Sequence, residues 1–377
     1  MLAGESSGDA LGAGLMDGLK SCYPEVKFSF VGVGGPKMLD LGLESLEKIE
    51  NLSVNGFREP ILRFPYFLSL FSRLITEFKN RRIDAFIGID FNVMNFLIER
   101  RLKMNQIPTA HYVSPSVYAW RSGRVNKIAK STDLLLCLFP FEPRYYLQVG
   151  VDARFVGHPL ADEISSDEGS DSNRIKMKAN LGLPKDSVIV ALLPGSRQSE
   201  ISLLLESFLL AAQKIKKSYS KAVFVVPCVT AKLQEQVLLQ IDDEFELEII
   251  TYVGDARNAL IACDVALAKA GTVTLEAALM RRPMVVAYKI GELTYQILRF
   301  LVKTNYFSLP NIIADKRLVP EFIQKEASPE NLAISVCSEL ERYENDPEYL
   351  EGYKVIYDQL RKNANQEAAT TFYSLLD

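Results

Sequence analysis

A chain of 377 residues with 48% hydrophobic side chains is long enough for two domains, each with its own core. Its formal net charge of −4 excludes a nucleic-acid binder working through bulk electrostatics, so any anionic ligand has to be held by local donors. Two histidines, and five cysteines without CxxC spacing, argue against a zinc site or a Ser-His centre and fit a reducing compartment.

From the N-terminus, Met1-Leu-Ala-Gly4 reads as the end of a strand whose beginning is absent, and the turn Gly4-Glu-Ser-Ser-Gly-Asp9 opens a helix to about Cys22. The turn lacks the Gly-Lys-Ser/Thr ending of a P-loop, so a triphosphate is not expected there. Its small residues, flanked by Glu5 and Asp9, suit a loop that lets a polar ligand approach the backbone, or else a plain strand-to-helix turn with Asp9 near the helix start. Strands are expected over Lys27–Val33, Arg82–Asp90, Thr109–Val113, Asp133–Leu138 and Ala153–Val156; their alternation with helices predicts a parallel, doubly wound sheet. Ligands of such sheets bind beyond the carboxyl ends of strands, which places Asp90 and Asn92 where chemistry is expected. His111, inside an apolar strand, reads as a hydrogen-bonded core residue, and His158 as structural.

From Asp162 to Pro184 the chain turns polar, with an acidic, serine-rich patch over Ser165–Ser172. This sets the expected boundary between a first Rossmann-like domain, residues 1–160, and a second, residues 161–344. Strands of the second are expected over Ser187–Leu193, Ala222–Val226, Leu247–Thr251, Val265–Ala268 and Met284–Tyr288. The tail, Pro329–Asp377, reads as helical, with the part from about 345 free to pack back on the first domain. Two doubly wound domains joined by a hinge predict a cleft between the carboxyl edges of their sheets.

The stretch Ala266–Ala278 is the anchor of this reading, because a short buried strand breaks at Gly271 directly into a helix. The first turn of such a helix leaves unpaired N–H donors and a partial positive charge, a site for a diphosphate at Gly271 and Thr272. Glu276 shares a helix face with Thr272 and could accept hydrogen bonds from a ribose diol; the alternative is a capped core helix with an exposed Glu. Ser196 and Arg197 follow the first strand of the second domain, where a guanidinium would neutralise a diphosphate. Lys303–Asn311, polar and aromatic without periodicity, reads as a functional loop.

In chain order the motifs are Ala3-Gly-Glu-Ser-Ser-Gly-Asp9, Leu52-Ser-Val54, Gly88-Ile-Asp90, His111-Tyr-Val-Ser-Pro-Ser-Val117 with Ala119-Trp-Arg121, Phe155-Val-Gly-His-Pro159, Leu192-Leu-Pro-Gly-Ser-Arg197, Gly271-Thr272 with Leu275-Glu276, and Ser308-Leu-Pro-Asn311. Together they resemble the lipid-A-disaccharide synthases, glycosyltransferases of the two-Rossmann GT-B type, over nearly the whole length. The resemblance implies transfer of a 2,3-diacylglucosamine unit from its UDP donor to the 6-hydroxyl of 2,3-diacylglucosamine 1-phosphate, giving a β-1,6 disaccharide 1-phosphate and UDP. It implies that the first loop, with Ser7, and the Asp90–Asn92 strand end serve the acceptor, while Ser196, Arg197, Gly271, Thr272 and Asn311 hold the nucleotide. It also implies no cofactor and no divalent metal. Where the family pattern runs Gly-Ile-Asp-x-Pro-Asp-Phe-Asn, this chain passes from Gly88-Ile-Asp90 into Phe91-Asn92; it reads as three residues shorter, with Asp90 standing for either aspartate.

An α-linked donor giving a β product requires one in-line displacement, so a carboxylate takes the acceptor proton as UDP leaves. Asp90 is the first choice for that base, with Glu5 and Asp9 as alternates. The substrates implied are acylated, and the segment Pro60–Arg82 is rich in large apolar residues. Phe67, Leu70, Phe71, Leu74, Ile75 and Phe78 fall on one helical stripe expected to face the core. Ile61, Leu62, Phe64, Tyr66 and Leu68, rimmed by Arg58, Arg63 and Arg73, are left to dip into a membrane interface or to pack under a loop or partner subunit. No run of 18 apolar residues and no signal peptide is present, so the expected location is cytoplasmic, peripheral on the inner membrane, with a homodimer allowed. Two rivals are a UDP-sugar 2-epimerase of the same fold and a catalytically silent UDP-sugar or lipid-binding protein.

Overall fold

The computed structural model describes residues 1–52, 64–116, 125–241, 245–299 and 304–376. The chain divides into two compact units, Met1–Asp162 with Leu360–Asp377, and Glu163–Gln359.

In the first unit the strands are β1 (Leu2–Ala3), β2 (Phe30–Gly32), β3 (Leu43–Ser45), β4 (Phe86–Ile89), β5 (Thr109–Tyr112), β6 (Leu134–Cys137) and β7 (Asp152–Phe155). β4, β5 and β6 are buried along their whole length, as expected of parallel strands covered on both faces. The parallel order is β1-β4-β5-β6-β7, with Ala3 opposite Ile89 and Ile89 opposite Tyr112. β2 pairs with β3, and the bridge between Leu2 and Val33 sets this pair on the free side of β1. Read across, β3-β2-β1-β4-β5-β6-β7 is the Rossmann order, whose direction reverses between β1 and β4.

One face of this sheet is covered by helix Ser6–Cys22 and, from the far end of the chain, helix Ala364–Tyr373: Leu15, Met16 and Leu19 share a core with Ala368, Ala369 and Phe372. The tail is fastened by Asp162, whose carboxylate accepts the N–H groups of Asn363 (2.9 Å) and Ala364 (2.6 Å) at the start of that helix. The return to the first unit therefore begins at Leu360, not near 345. Helix Glu351–Leu360 stays with the second unit up to Gln359, and there the Tyr357 hydroxyl donates to the Ile164 carbonyl at 3.0 Å. Helices Phe64–Asn80 and Asn92–Lys103 cover the other face, burying Leu70, Leu74 and Phe78 with Met94, Ile98 and Leu102. Each such side chain contributes about 1.5–3 kcal/mol.

The second unit contains β8 (Ile189–Leu193), β9 (Val223–Cys228), β10 (Ile249–Val253), β11 (Val265–Lys269), β12 (Met284–Tyr288) and β13 (Glu321–Ile323). All pairs are parallel, in the order β10-β9-β8-β11-β12-β13, which reverses between β8 and β11. Helices Gln198–Ser218 and Pro329–Asn345 pack on one face, joining Leu204, Phe208 and Ile215 to Leu332 and Val336. The strand expected over Lys27–Val33 is confined to three residues, and the loop expected over 303–311 passes into a helix, Leu309–Ala314.

Candidate active site

At the β8/β11 reversal of the second unit the two strand ends diverge and leave a cavity of 560 Å³. Ser196 and Arg197 enter it after β8; Lys269, Gly271, Thr272 and Glu276 enter it from β11 and helix Thr272–Leu279. No side chain caps this helix; the Thr274 N–H already bonds to the Gly271 carbonyl (3.0 Å), so the first-turn donors left for a ligand are those of Thr272 and Val273. A Cβ built on Gly271 meets nothing within 4 Å, so space is open at the helix end.

Across the cavity the β8 turn is fixed by Glu200. Its Oε2 accepts from the N–H groups of Ser196 (3.1 Å) and Arg197 (3.3 Å), and its Oε1 from Lys269 Nζ (2.8 Å). Gly195 is required here: its φ is +134°, and a Cβ would fall 2.5 Å from that carboxylate. Burial opposes the charge on Glu200, but Lys269 and the two backbone donors hold its carboxyl below the usual range, so it is an anion at neutral pH. The Arg197 guanidinium is exposed and has no ion-pair partner among the described residues. Glu276 is held differently. Burial, with the negative charges of Asp255 and Glu163, pushes its carboxyl up to about 7; Arg257 opposes the rise but is itself paired with Glu168. The cavity thus offers an anion the Arg197 guanidinium, the Lys269 ammonium already shared with the Glu200 carboxylate, and a helix N-terminus, with an acceptor one turn deeper.

A larger cavity, 710 Å³, lies beside β13 and residues 304–307, away from the strand reversal, and its Glu321 already accepts from the N–H groups of Phe307 and Ser308. The smaller one is the candidate because the charges and the uncapped helix end converge on it.

At the β1/β4 reversal of the first unit, the turns after the two strands touch: a Cβ on Gly4 would lie 2.3 Å from the Phe91 ring. Helix Ser6–Cys22 begins here without a side-chain cap, exposing Glu5 and Ser7. Asp90 and Phe91 are consecutive left-handed residues, at φ 51° and 40°, and this bend holds the half-exposed Asp90 carboxylate at the strand end. Asn92 reaches Asp90 Oδ1 through Nδ2 at 3.5 Å.

Two expected site residues are placed elsewhere. Asp9 is buried, and its carboxylate accepts from Gly35 N (2.8 Å), Lys37 N and Met38 N (both 3.1 Å). It caps the short helix Pro36–Asp40 and is not available as a base. Asn311 is fully buried; its Oδ1 accepts from Leu318 N and Val319 N and its Nδ2 donates to Val319 O, so its amide closes a turn and is not presented to a nucleotide. Leu68 is 53% exposed on helix Phe64–Asn80, while Leu62 and the Phe64 side chain lie outside the described residues. Arg73, expected to face headgroups, pairs with Glu47. Lys269 was the missed residue, although a cation at the end of a strand, two residues before Gly271, is a readable signal. His111 is the expected core histidine, its Nδ1 2.6 Å from Glu99 Oε1.

Known proteins resemble this chain over nearly its whole length. A family model described as lipid-A-disaccharide synthetase matches residues 1–372. The lipid-A-disaccharide synthase of Pseudomonas paraeruginosa is 43% identical over 377 residues, covering 100% of this chain and 97% of that one. Among solved structures, Anabaena HepE in complex with UDP-glucose superposes with a TM-score of 0.58 at 12% identity, over 99% of this chain and 98% of that one. The UDP-GlcNAc 2-epimerase of Neisseria meningitidis bound to UDP-GlcNAc also gives 0.58, at 10% identity, over 98% and 96%. At these identities the structural likenesses speak for the fold alone, two doubly wound GT-B-type units.

Proposed function

The chain belongs to the lipid-A-disaccharide synthase family, and from that premise we propose that it transfers 2,3-diacylglucosamine from its UDP donor to 2,3-diacylglucosamine 1-phosphate. The products are the β-1,6 disaccharide 1-phosphate and UDP. The observation that carries the donor half is the convergence of Arg197, Lys269 and the uncapped 272–279 helix on one cavity, with Glu276 a turn below. The diphosphate lies against Gly271 and Thr272, and the ribose diol donates to Glu276.

In the reaction the acceptor 6-hydroxyl oxygen bonds to the anomeric carbon as the bond to the UDP oxygen breaks, inverting that centre. The hydroxyl proton passes to Asp90, with Glu5 as the alternate base. The electron pair leaves with UDP, whose charge meets Arg197, Lys269 and the helix N-terminus. The helix end contributes about 0.3–1 kcal/mol, up to about 2 when partly buried, so Arg197, whose charge no carboxylate among the described residues offsets, supplies most of the stabilisation, and Lys269, shared with Glu200, supplies less. Arg197→Ala is expected to lower turnover by ~100- to 1000-fold in a folded protein. Turnover near that of the parent would remove Arg197 from the leaving-group site.

Both substrates carry acyl chains, and we place the protein on the cytoplasmic face of the inner membrane as a peripheral enzyme. No described helix is long and apolar enough to cross a membrane. Leu68, exposed near the start of helix Phe64–Asn80, supports docking through the segment that contains Leu62 and Phe64.

A further inference from the structure

Beneath the Asp90 turn lies a buried polar group that the reaction does not use. Asn95, on the first turns of helix Asn92–Lys103, is fully buried, and its Nδ2 reaches three carbonyls: Asp90 (2.9 Å), Leu2 (3.2 Å) and Ile89 (3.4 Å). One amide therefore gathers carbonyls from both strands of the β1/β4 reversal. Those partners fix its orientation, because the Oδ1 end has no hydrogen-bond partner and only the donor end is engaged. One helical turn on, buried Glu99 meets His111 of β5, whose ring stacks on Phe96 at 4.1 Å. Gly88 leaves room for both side chains, since a Cβ there would fall 2.4 Å from Glu99 Oε1 and 2.6 Å from Asn95 Cβ.

The turn needs such a support. Two successive non-glycine residues in the left-handed region are strained and persist only where their surroundings hold them. Asp90 is held by its own N–H to the Tyr112 carbonyl (2.8 Å) and by Asn95 on its carbonyl; the Asn95 N–H also closes on the Phe91 carbonyl (3.3 Å). An aspartate at 95 would point a carboxylate at three carbonyl oxygens, so the amide is specifically required.

The sequence pattern fits as well. Counting Gly-Ile-Asp-x-Pro-Asp-Phe-Asn from Gly88 without a gap, the final asparagine falls on Asn95 and the second aspartate on Val93, which is 78% exposed and cannot titrate. Counted this way the stretch needs no gap, Asp90 sits at the first aspartate, and Asn95 rather than Asn92 stands at the asparagine of the pattern.

We infer that Asn95 is a positioning residue for the transfer reaction, clamping the strained Asp90–Phe91 turn so that the Asp90 carboxylate is held toward the acceptor hydroxyl. This rests on Asp90 being the base. The test is a double-mutant cycle between Asp90→Asn and Asn95→Leu, with turnover, KM for the UDP donor, and the acidic limb of the pH–rate profile measured for each folded variant. Asn95→Leu is expected to lower kcat at least tenfold with the donor KM within twofold and to displace the acidic limb, and to add no further loss to Asp90→Asn. Asn95→Ser is read the same way should the leucine variant not fold. Losses that multiply, or an acidic limb unchanged in a slow variant, would make Asn95 merely structural and overturn the inference. If Asp90→Asn itself keeps near-parent turnover, the assignment of the base fails instead, whatever Asn95 does.

Discussion

Single residues carry the donor site, and Glu276 gives it a pH signature. Its carboxyl is raised to about 7 by burial, Asp255 and Glu163, so near neutrality it is only partly ionised. A ribose diol donates to the ionised form and stabilises it, so UDP should bind more tightly as pH rises through about 7 and level off above. Glu276→Ala is expected to weaken UDP binding by about 1.5–3 kcal/mol, the value of a hydrogen bond to a charged group, and to lose that part of the pH dependence. The terminal phosphate of UDP titrates in both proteins, so calorimetric titrations from pH 6 to 8 are compared by difference. Equal affinities and equal profiles would leave the 272–279 helix a purely structural element. Residue types at strand ends announced this site, but what each side chain faces depends on non-local partners. Asp9 looks in sequence like a loop carboxylate; it is a cap because Gly35 and Met38 lie against it, and Asn311 is structural because Leu318 and Val319 close on it.

Elements with a clear period were readable. The stripe of helix Phe64–Asn80 places Leu70, Leu74, Ile75 and Phe78 in the core, as its spacing demands, and leaves Leu68 outside. β3 and β13 were not readable, because Leu43–Ser45 and Glu321–Ile323 are three residues each, without an apolar run, and become strands only through the sheet edges they join. The exposed side of helix Phe64–Asn80 carries the prediction at this scale. Replacing Leu62, Phe64 and Leu68 together with Ser should lower co-sedimentation with anionic vesicles while UDP binding and thermal stability persist, since each inserted apolar side chain contributes about 1.5–3 kcal/mol. Unchanged vesicle binding by the folded triple variant would return the segment to protein packing.

At the scale of the molecule, both units place their candidate residues at the reversal point of a Rossmann-ordered sheet, β1/β4 for Asp90 and β8/β11 for Arg197, Lys269 and Glu276. Alternation of strands and helices was enough to read two doubly wound domains from sequence. The return of the chain at Leu360 was less readable, because it depends on Asp162 capping a helix about two hundred residues away. The central claim is a transfer that consumes a UDP-linked acylated sugar only when an acylated sugar phosphate receives it. The most direct measurement is therefore UDP release from UDP-2,3-diacylglucosamine with and without 2,3-diacylglucosamine 1-phosphate, with the lipid product followed by mass. The prediction is release only with acceptor present, matched one to one by disaccharide 1-phosphate; UDP release or sugar epimerisation without acceptor, or donor binding with no turnover in its presence, would contradict it.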